Sequence, residues 1–594
     1  MNSAVRALSQ GVRSLALRAQ QLARAGITLL KHEELTAIIF WAALVGICGA
    51  LASVAFRASV SLVQRLLTGR DAGLGLVETA ASLQWWTRMT VPTIGGAIAG
   101  LLLWGGHRLL RRPRSVDYME AVAVGNGQLS GLSALIQATS SFFTIGSGGS
   151  IGREGPMVQM AATIASKIGQ WAQAPVPRLR LLVACGASAG IAAAYNAPIA
   201  GALFVAEVVM GSIAMESFGP LIVASVVSDA VTRHFLGVGP VYQVPQLNFG
   251  AGWELALYGV LGVALGHAAP PYLALLDRAR VWFRGLRLPA YVCMALGGAI
   301  VGSISVALPQ VWGNGYSVVN EILHGQIALG LLGLILIAKL VSTCASVGSG
   351  AVGGILTPTL FMGAAFGELF GGATHLVWTH SSSDIAAYAV VGMGSFLAAT
   401  THAPLTSILL MFEMTLDYDL VLPLMLACVT GHYVARIYRH GESVYTRSLH
   451  AAGPGREEEW RLKTVAALMR PPVQVLQRDQ TVGAALAAIP HNPRGPAYVI
   501  DLQNQLVGAL DVANLRHRLR AGELADSTPI AAVMQIAPPA LSAQAHLGDA
   551  LEVFLAHRCK RLPVVSGQWS PVVLGEVSRH DLLLALQDRM AERR

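Results

Sequence analysis

Charged residues are scarce in this chain. Aspartate, glutamate, lysine and arginine make up 13% of its 594 residues, whereas 54% are hydrophobic and the mean hydropathy is +0.54. A soluble domain carries about a quarter charged residues, so the composition excludes an ordinary soluble protein and predicts an integral membrane protein. Apolar runs of about 18 residues or more can span a bilayer. The candidate runs are 36–56, 90–110, 181–213, 217–230, 252–274, 289–307, 326–345, 385–400 and 405–437.

Cysteine is also rare, with six residues scattered along the chain and no metal-ligand spacing, which argues against a disulfide framework. No nucleophile–base, metal or cofactor constellation is evident, so the sequence predicts neither an enzyme nor a required cofactor. The basic segment 1–31 lacks a short apolar core followed by a small-residue cleavage site, so we interpret it as cytoplasmic rather than as a signal peptide. The net charge of +9 then reflects basic connections on the cytoplasmic side and indicates no nucleic-acid partner.

Against this apolar background, one glycine-rich motif occurs twice. Residues 146–158 read GSGGSIGREGPMV, and residues 348–360 read GSGAVGGILTPTL. Glycine lets the backbone turn tightly, and the shared proline suits the first turn of a helix. Each copy therefore predicts a helix start, whose unpaired N–H groups and partial positive charge favour an anion. Two such starts directed at one point predict a weak, reversible anion site.

Glu154 breaks the symmetry of the two motifs, because Leu356 stands at its position in the second copy. An ionisable side chain at membrane depth is costly and indicates function. When ionised, its carboxylate could occupy the anion site and compete with a permeating ion; when protonated, it could swing away. The alternative is that Glu154 only caps its helix or pairs with Arg153.

A second repeated segment supports an internal duplication. Residues 186–198 (GASAGIAAAYNAP) resemble residues 392–404 (GMGSFLAATTHAP), and each copy continues to a glutamate, Glu207 or Glu413. We therefore predict two homologous halves, about 90–240 and 290–440, with the functional site at their interface, as in transporters built from repeats. Each of these glutamates could carry protons or cap a neighbouring helix.

The composition changes after about residue 446. Residues 448–463 are predicted to form a polar linker, and residues 464–594 alternate helical patterns with short β-rich runs, which is typical of a soluble α/β domain. This tail is duplicated as well: AALM at 466–469 pairs with AAVM at 531–534, and GALDVANL at 508–515 pairs with GEVSRHDL at 575–582. Two strand–strand–helix copies are expected, at about 464–520 and 527–590.

With these motifs the chain resembles the CLC family of chloride channels and chloride/proton exchangers. GREGPMVQ at 152–159 matches the family's central motif, and GGILTP at 353–358 matches a second motif. The tail resembles a tandem pair of CBS modules. The resemblance implies an all-α polytopic membrane domain over 32–447, built as an inverted repeat of tilted and re-entrant helices, with an α/β CBS pair behind it. It also implies a homodimer with one pathway in each subunit.

The resemblance assigns roles to individual residues. Glu154 corresponds to the gating glutamate, and the proton pathway would use Glu154 and Glu207. Ser578 and Asp581 correspond to a pair that holds the ribose of an adenine nucleotide. The implied anion site comprises Gly152, Arg153, Glu154, Gly155, Gly354, Ile355, Leu356 and Tyr445, with Ser115 as the hydroxyl donor of the altered first motif, PRSVDYME at 113–120.

One departure bears on the mechanism. Many family exchangers carry two consecutive acids after the Asn-Ala-Pro run, whereas here the pair is Glu207-Val208. We therefore expect chloride transport across a bilayer through a glutamate-gated pathway, channel-like or weakly proton-coupled. The alternatives are a chloride/proton exchanger that uses Glu207 or a water path, and a nucleotide-sensing regulatory protein. The expected location is a bacterial inner membrane, with the N-terminus and the CBS pair in the cytoplasm.

Overall fold

A computed structural model describes residues 35–70, 75–110, 116–123, 125–211, 215–237, 239, 241–245, 252–378, 383–439, 464–471, 474–489, 496–536, 538–545, 547–557, 559–566 and 571–582. The chain divides into two compact units, Met1–His450 and Ala451–Arg594. The predicted N-terminal segment and linker, 1–31 and 448–463, lie outside the described residues.

The first unit is helical. Its helices are α1 (Leu35–Thr68), α2 (Leu76–Ser82), α3 (Trp85–Leu110), α4 (Tyr118–Ala123), α5 (Gly131–Gly146), α6 (Glu154–Trp171), α7 (Val176–Tyr195), α8 (Pro198–Phe204), α9 (Met215–Leu236), α10 (Leu255–Gly285), α11 (Ala290–Ala307), α12 (Tyr316–Leu323), α13 (Leu329–Gly348), α14 (Leu356–Val377), α15 (Ile385–Thr401), α16 (Pro404–Thr415) and α17 (Val421–Arg439). A π-helical turn, Val205–Met210, continues α8, and short 3₁₀ turns lie at Gly252–Glu254 and Pro309–Val311.

Eight of the described helices contain a stretch long and apolar enough to span a membrane: α1, α3, α7, α10, α11, α13, α14 and α17. The predicted runs 181–213 and 405–437 are each broken. Asn196 and Leu416, both in the left-handed conformation, end the helix before the break in each run. The apolar pattern did not single out α14, because glycine, threonine and Glu368 interrupt its apolar sequence.

The two halves of this unit repeat the same elements in the same order. The helices α3, α5, α6, α7, α8 and α9 correspond to α11, α13, α14, α15, α16 and α17. Equivalent turns share backbone geometry: Gly148 and Gly350 both have φ +94°, and Asn196 and His402 are both left-handed, at φ 53° and 58°. A positive φ of this kind suits glycine best, which explains why the repeated motif keeps a glycine at its third position.

Glycines also let the halves pack closely. Helix α3 lies along α11, where a Cβ at Gly96 or at Gly298 would collide with backbone of the facing helix. Small residues at such contacts are typical of packed membrane helices.

The second unit contains two small sheets. Its strands are β1 (Val475–Gln477), β2 (Ala497–Ile500), β3 (Leu506–Leu510), β4 (Gln535–Ile536), β5 (Leu541–Ser542), β6 (Arg561–Val565) and β7 (Val573–Ser578). The sheet orders are β1-β2-β3-β4 and β5-β6-β7; β1–β2 and β5–β6 are parallel pairs and the remaining neighbours are antiparallel. The helices are α18 (Val482–Ala488), α19 (Val512–Arg520) and α20 (Leu547–His557), with 3₁₀ turns at Val465–Ala467 and Ile530–Ala532.

The two modules of this unit exchange their first turns. Val465 is buried in the core of the second sheet, where its N–H donates to the carbonyl of Ala545 at 2.8 Å. Ile530 is buried in the core of the first sheet, and its N–H donates to the carbonyl of Gln480 at 3.0 Å. Each sequence copy therefore contributes a residue to the core of the other copy, which the repeat pattern alone did not reveal.

Candidate anion site

The two glycine-rich motifs meet at the starts of α6 and α14. Gly152 and Gly354 form an antiparallel bridge in which each N–H donates to the other's carbonyl at 2.8 Å. Gly155 is pressed against the same point, since a Cβ there would lie 3.0 Å from the nitrogen of Gly354. The predicted convergence of two helix starts is therefore present, and only glycine permits this closeness.

The Glu154 carboxylate is bound to the start of the opposite helix. It is 2% exposed, and its Oε1 accepts the backbone N–H of Thr357 at 3.0 Å while its Oε2 accepts the Thr357 hydroxyl at 3.0 Å. A Cβ at Gly152 or at Gly354 would collide with this carboxylate. The acid therefore sits in a glycine-lined seat at the positive end of α14, where an anion would be stabilised.

The Arg153 side chain packs against an aromatic ring. Its guanidinium lies over the ring of Tyr316, 5.2 Å from the centroid. This placement favours the tethered-anion interpretation of Glu154 over pairing with its neighbour.

Sequence reasoning missed three residues around the carboxylate. Thr357 supplies both hydrogen bonds, the hydroxyl of Tyr195 lies 3.3 Å from that of Thr357, and Tyr316 lies against Arg153. Thr357 stands inside the second motif, so its position offered a signal. Tyr195 stands in the second repeated segment, whereas no pattern pointed to Tyr316.

A cavity of 310 Å³ opens beside the carboxylate. Of the residues assigned to the anion site, Glu154, Gly155, Gly354, Ile355 and Leu356 line it. Gly152 contributes through the glycine bridge. Arg153 does not line the cavity, and Tyr445 and Ser115 lie outside the described residues. The wall also includes Asp117, Gln137, Gln159, Tyr195 and Arg280.

Glu207 caps α16, a helix of the opposite half. Its Oε2 accepts the N–H of Thr406 at 2.8 Å and the Thr406 hydroxyl at 2.6 Å, and its Oε1 accepts the N–H of Leu405 at 3.3 Å. Its neighbour Val208 packs against the apolar core at the same turn.

Glu413 makes the reciprocal contact with α8. Its two oxygens accept the N–H groups of Ile199 and Ala200 at 2.9 and 2.7 Å. A carboxylate at a helix start satisfies N–H groups that have no partner within the helix. The contacts favour the capping interpretation for both glutamates.

In the second unit, the residues assigned to a nucleotide lie together. The Ser578 hydroxyl donates to Asp581 at 2.7 Å and accepts the Asp581 N–H at 3.0 Å. Arg470 binds the other carboxylate oxygen of Asp581 at 2.7 Å. Asp581 is therefore already bound by the guanidinium of Arg470, which follows the exchanged first turn.

Comparison with known proteins identifies the relatives of both units. Residues 111–436 match the family model for the voltage gated chloride channel, and residues 530–588 match the CBS domain model. A putative chloride channel protein ClcB-like from Ralstonia nicotianae is 52% identical over 412 residues, which cover 69% of this chain and 95% of that protein. The voltage-gated ClC-type chloride channel ClcB from Salmonella typhimurium is 39% identical over 415 residues, covering 69% and 98%.

Solved structures of CLC proteins share this fold. A slow cyanobacterial Cl⁻/H⁺ antiporter superposes with a TM-score of 0.63 at 26% identity and covers 71% of this chain and 99% of its own. A eukaryotic CLC transporter shares the fold over 92% of this chain and 97% of its own, with a TM-score of 0.59 at 19% identity. The resemblance read from the two glycine motifs is confirmed: the chain belongs to the CLC family of voltage-gated chloride channels and carries a CBS domain in its C-terminal unit.

Proposed function

We propose that this chain moves chloride across a bilayer through a pathway gated by Glu154, with one pathway in each subunit of a homodimer. One observation carries the proposal: the Glu154 carboxylate occupies the start of α14, bound to the N–H and hydroxyl of Thr357. Those two donors and the helix end can hold a chloride ion equally well. An ionised Glu154 therefore competes with chloride for the same seat.

Protonation releases this competition. Hydrogen bonds to a charged group contribute about 1.5–3 kcal/mol each, roughly twice the value for neutral pairs. A protonated Glu154 loses that advantage, so chloride displaces it from the Thr357 donors. The sign follows directly: acidification weakens the seated form of the gate and raises chloride flux.

Transport is proposed to be channel-like or weakly coupled to protons. Val208 is apolar, and the Glu207 carboxylate is held by three donors at the start of α16. Those hydrogen bonds engage Glu207 as a helix cap, and Val208 has no exchangeable proton to relay.

The second candidate is chloride/proton exchange, which the similarity to the slow cyanobacterial antiporter supports. The full chain, reconstituted into proteoliposomes, separates the two when chloride efflux and proton uptake are recorded together under a chloride gradient. Proton movement against its own gradient, driven by chloride, would refute uncoupled transport. Chloride efflux without uphill proton movement would refute exchange.

The gate is tested by Glu154→Gln, which keeps the shape of the side chain but cannot ionise. We expect its chloride flux to be independent of pH, while the wild type and the exposed control Glu78→Gln respond to acid. A Glu154→Gln variant with the pH response of the wild type would remove Glu154 from the gating role.

For the C-terminal unit we propose an adenine nucleotide at Ser578 and Asp581, the residue types that suit ribose hydroxyls. Because Arg470 occupies Asp581, binding requires the arginine to leave, which makes it available to a phosphate. Titration calorimetry of the full chain in detergent with ATP, ADP and AMP tests this, with Asp581→Ala as the control. No heat from any nucleotide would leave the CBS pair as a structural element.

The proposed location is a bacterial inner membrane, with the N-terminus and the C-terminal unit in the cytoplasm. The bacterial relatives support this placement.

A further inference from the structure

Asp117 shares the anion cavity with Glu154. These two are the acidic side chains among the described residues that line the 310 Å³ cavity. Asp117 is exposed, whereas Glu154 is 2% exposed at the buried end. A single cavity therefore connects an exposed acidic residue to the gate.

Helix α6 gives a scale for the distance between Asp117 and Glu154. The side-chain oxygen of Gln159 accepts the backbone N–H of Tyr118 at 2.9 Å, which fixes Asp117 beside the second turn of that helix. Gln159 is five residues beyond Glu154, a rise of about 7.5 Å along the helix axis. A gap of this order along the helix exceeds the reach of one hydrogen bond, about 3 Å between heavy atoms, so transfer between the two acids would use bridging water.

The cavity can hold that water. Its volume of 310 Å³ corresponds to roughly ten molecules at about 30 Å³ each. Gln137, Gln159 and Tyr195 line it and offer hydrogen-bonding groups along the wall. A connected row of waters between the two acids fits this space.

The charged groups around Asp117 are mostly engaged elsewhere. Arg180 of α7 donates to the carbonyls of Val122 and Ala123 at 2.6 and 2.7 Å. The Glu207 carboxylate caps α16, as described above. Among the described residues, the other titratable groups near Asp117 are Glu120 on its own helix and, along the cavity wall, Glu154 on α6 and Arg280 on α10. The Nη1 of Arg280 lies 3.4 Å from Asp277.

We propose that Asp117 is the acid that delivers protons to Glu154, through the anion cavity itself. Asp117 takes a proton from water at the open end and passes it along the bridging waters to the Glu154 carboxylate, which then leaves Thr357. The reverse transfer returns the proton and reseats the gate. This inference rests on the gating role proposed for Glu154, and it supplies a proton route that the apolar Val208 cannot.

Asp117 could act merely as the cap of α4, since it precedes the helix and its backbone carbonyl accepts the N–H of Ala121 at 2.9 Å. Asparagine caps a helix as well as aspartate does but cannot carry the proton. Asp117→Asn therefore separates the two roles without removing the cap. Glu120→Gln on the same helix is the matched control, because Glu120 does not line the cavity.

The test uses the full chain in proteoliposomes on a solid-supported membrane, with chloride current recorded after a rapid pH step. For Asp117→Asn we expect the current to relax to its new level slower than wild type by about tenfold or more, since a positioned proton donor contributes at least that factor. Millimolar imidazole, a small diffusible proton carrier, should restore the rate. Glu120→Gln should relax as the wild type does.

The outcomes distinguish this inference from the gate. A wild-type relaxation rate in Asp117→Asn, together with a pH-independent Glu154→Gln, overturns the role of Asp117 and leaves the gate standing. A slow Asp117→Asn that imidazole does not restore also overturns proton delivery by Asp117, because a diffusible donor should replace a lost positioned one. A pH-dependent Glu154→Gln overturns the gate and this inference with it.

Discussion

Replacing Thr357 by valine removes one of the two donors that hold the Glu154 carboxylate. The lost bond is the hydroxyl contact at 3.0 Å, while the backbone N–H of residue 357 remains. A hydrogen bond to a buried charged group contributes about 1.5–3 kcal/mol. Since about 1.4 kcal/mol is a factor of ten, the released form of the gate gains about tenfold or more in population.

We therefore expect Thr357→Val to raise chloride flux at neutral pH by about tenfold. The acid-activated part of the flux curve should move up by about one pH unit, because the seated carboxylate has lost stabilisation and yields to chloride at lower proton concentration. The assay is chloride efflux from proteoliposomes, measured with an electrode between pH 4.5 and 8.

Two controls isolate the hydroxyl at position 357. Thr357→Ser keeps the donor and should follow the wild-type curve. Tyr195→Phe removes the phenol that lies 3.3 Å from the threonine hydroxyl, and it tests whether that neighbour contributes. Wild-type flux in Thr357→Val, or an equal shift in Thr357→Ser, would refute the seat as the closed state of the gate.

Three further changes test the surrounding structure. Gly354→Ala places a Cβ 2.5 Å from the carboxylate oxygen, so it should unseat the gate and flatten the pH response, whereas Gly333→Ala, with open space around it, should not. Glu413→Gln weakens a helix cap and should lower the free energy of unfolding by about 0.5–2 kcal/mol, seen as a lower melting temperature in detergent. Ile530→Ala should lower the free energy of unfolding by about 2–5 kcal/mol and speed amide exchange in β2 and β3 of the other module. Ile536→Ala, at a 75% exposed site, should do neither. Unchanged exchange in those strands after Ile530→Ala would contradict the exchanged turns.

The duplicated motif predicted the centre of the site because its chemistry is local. Repeated glycines followed by a proline specify a tight turn and a helix start wherever they occur, so two copies predicted two facing starts. The Gly152–Gly354 bridge confirms that geometry. Glu154 stood out by the same reasoning, as a charge where its counterpart is apolar.

Contacts between distant residues could not be read in this way. Thr357 meets Glu154 across a sequence separation of 203 residues, and a threonine in an apolar helix looks no different from one that packs. The exchange of first turns in the C-terminal unit escaped prediction for a similar reason, because Ile530 is apolar and buried in either arrangement. Only the packing of the two copies decides which core receives it.

The glycine bridge limits how this protein can move. Two backbone hydrogen bonds, each 2.8 Å long, tie the starts of α6 and α14 directly to one another. Rocking one half against the other would rupture this tie in every transport cycle. Opening by rotation of the Glu154 side chain leaves this tie intact and does not require the microsecond-to-millisecond motion of a domain hinge. Proton arrival, and not the mechanics of the fold, would set the pace of the gate.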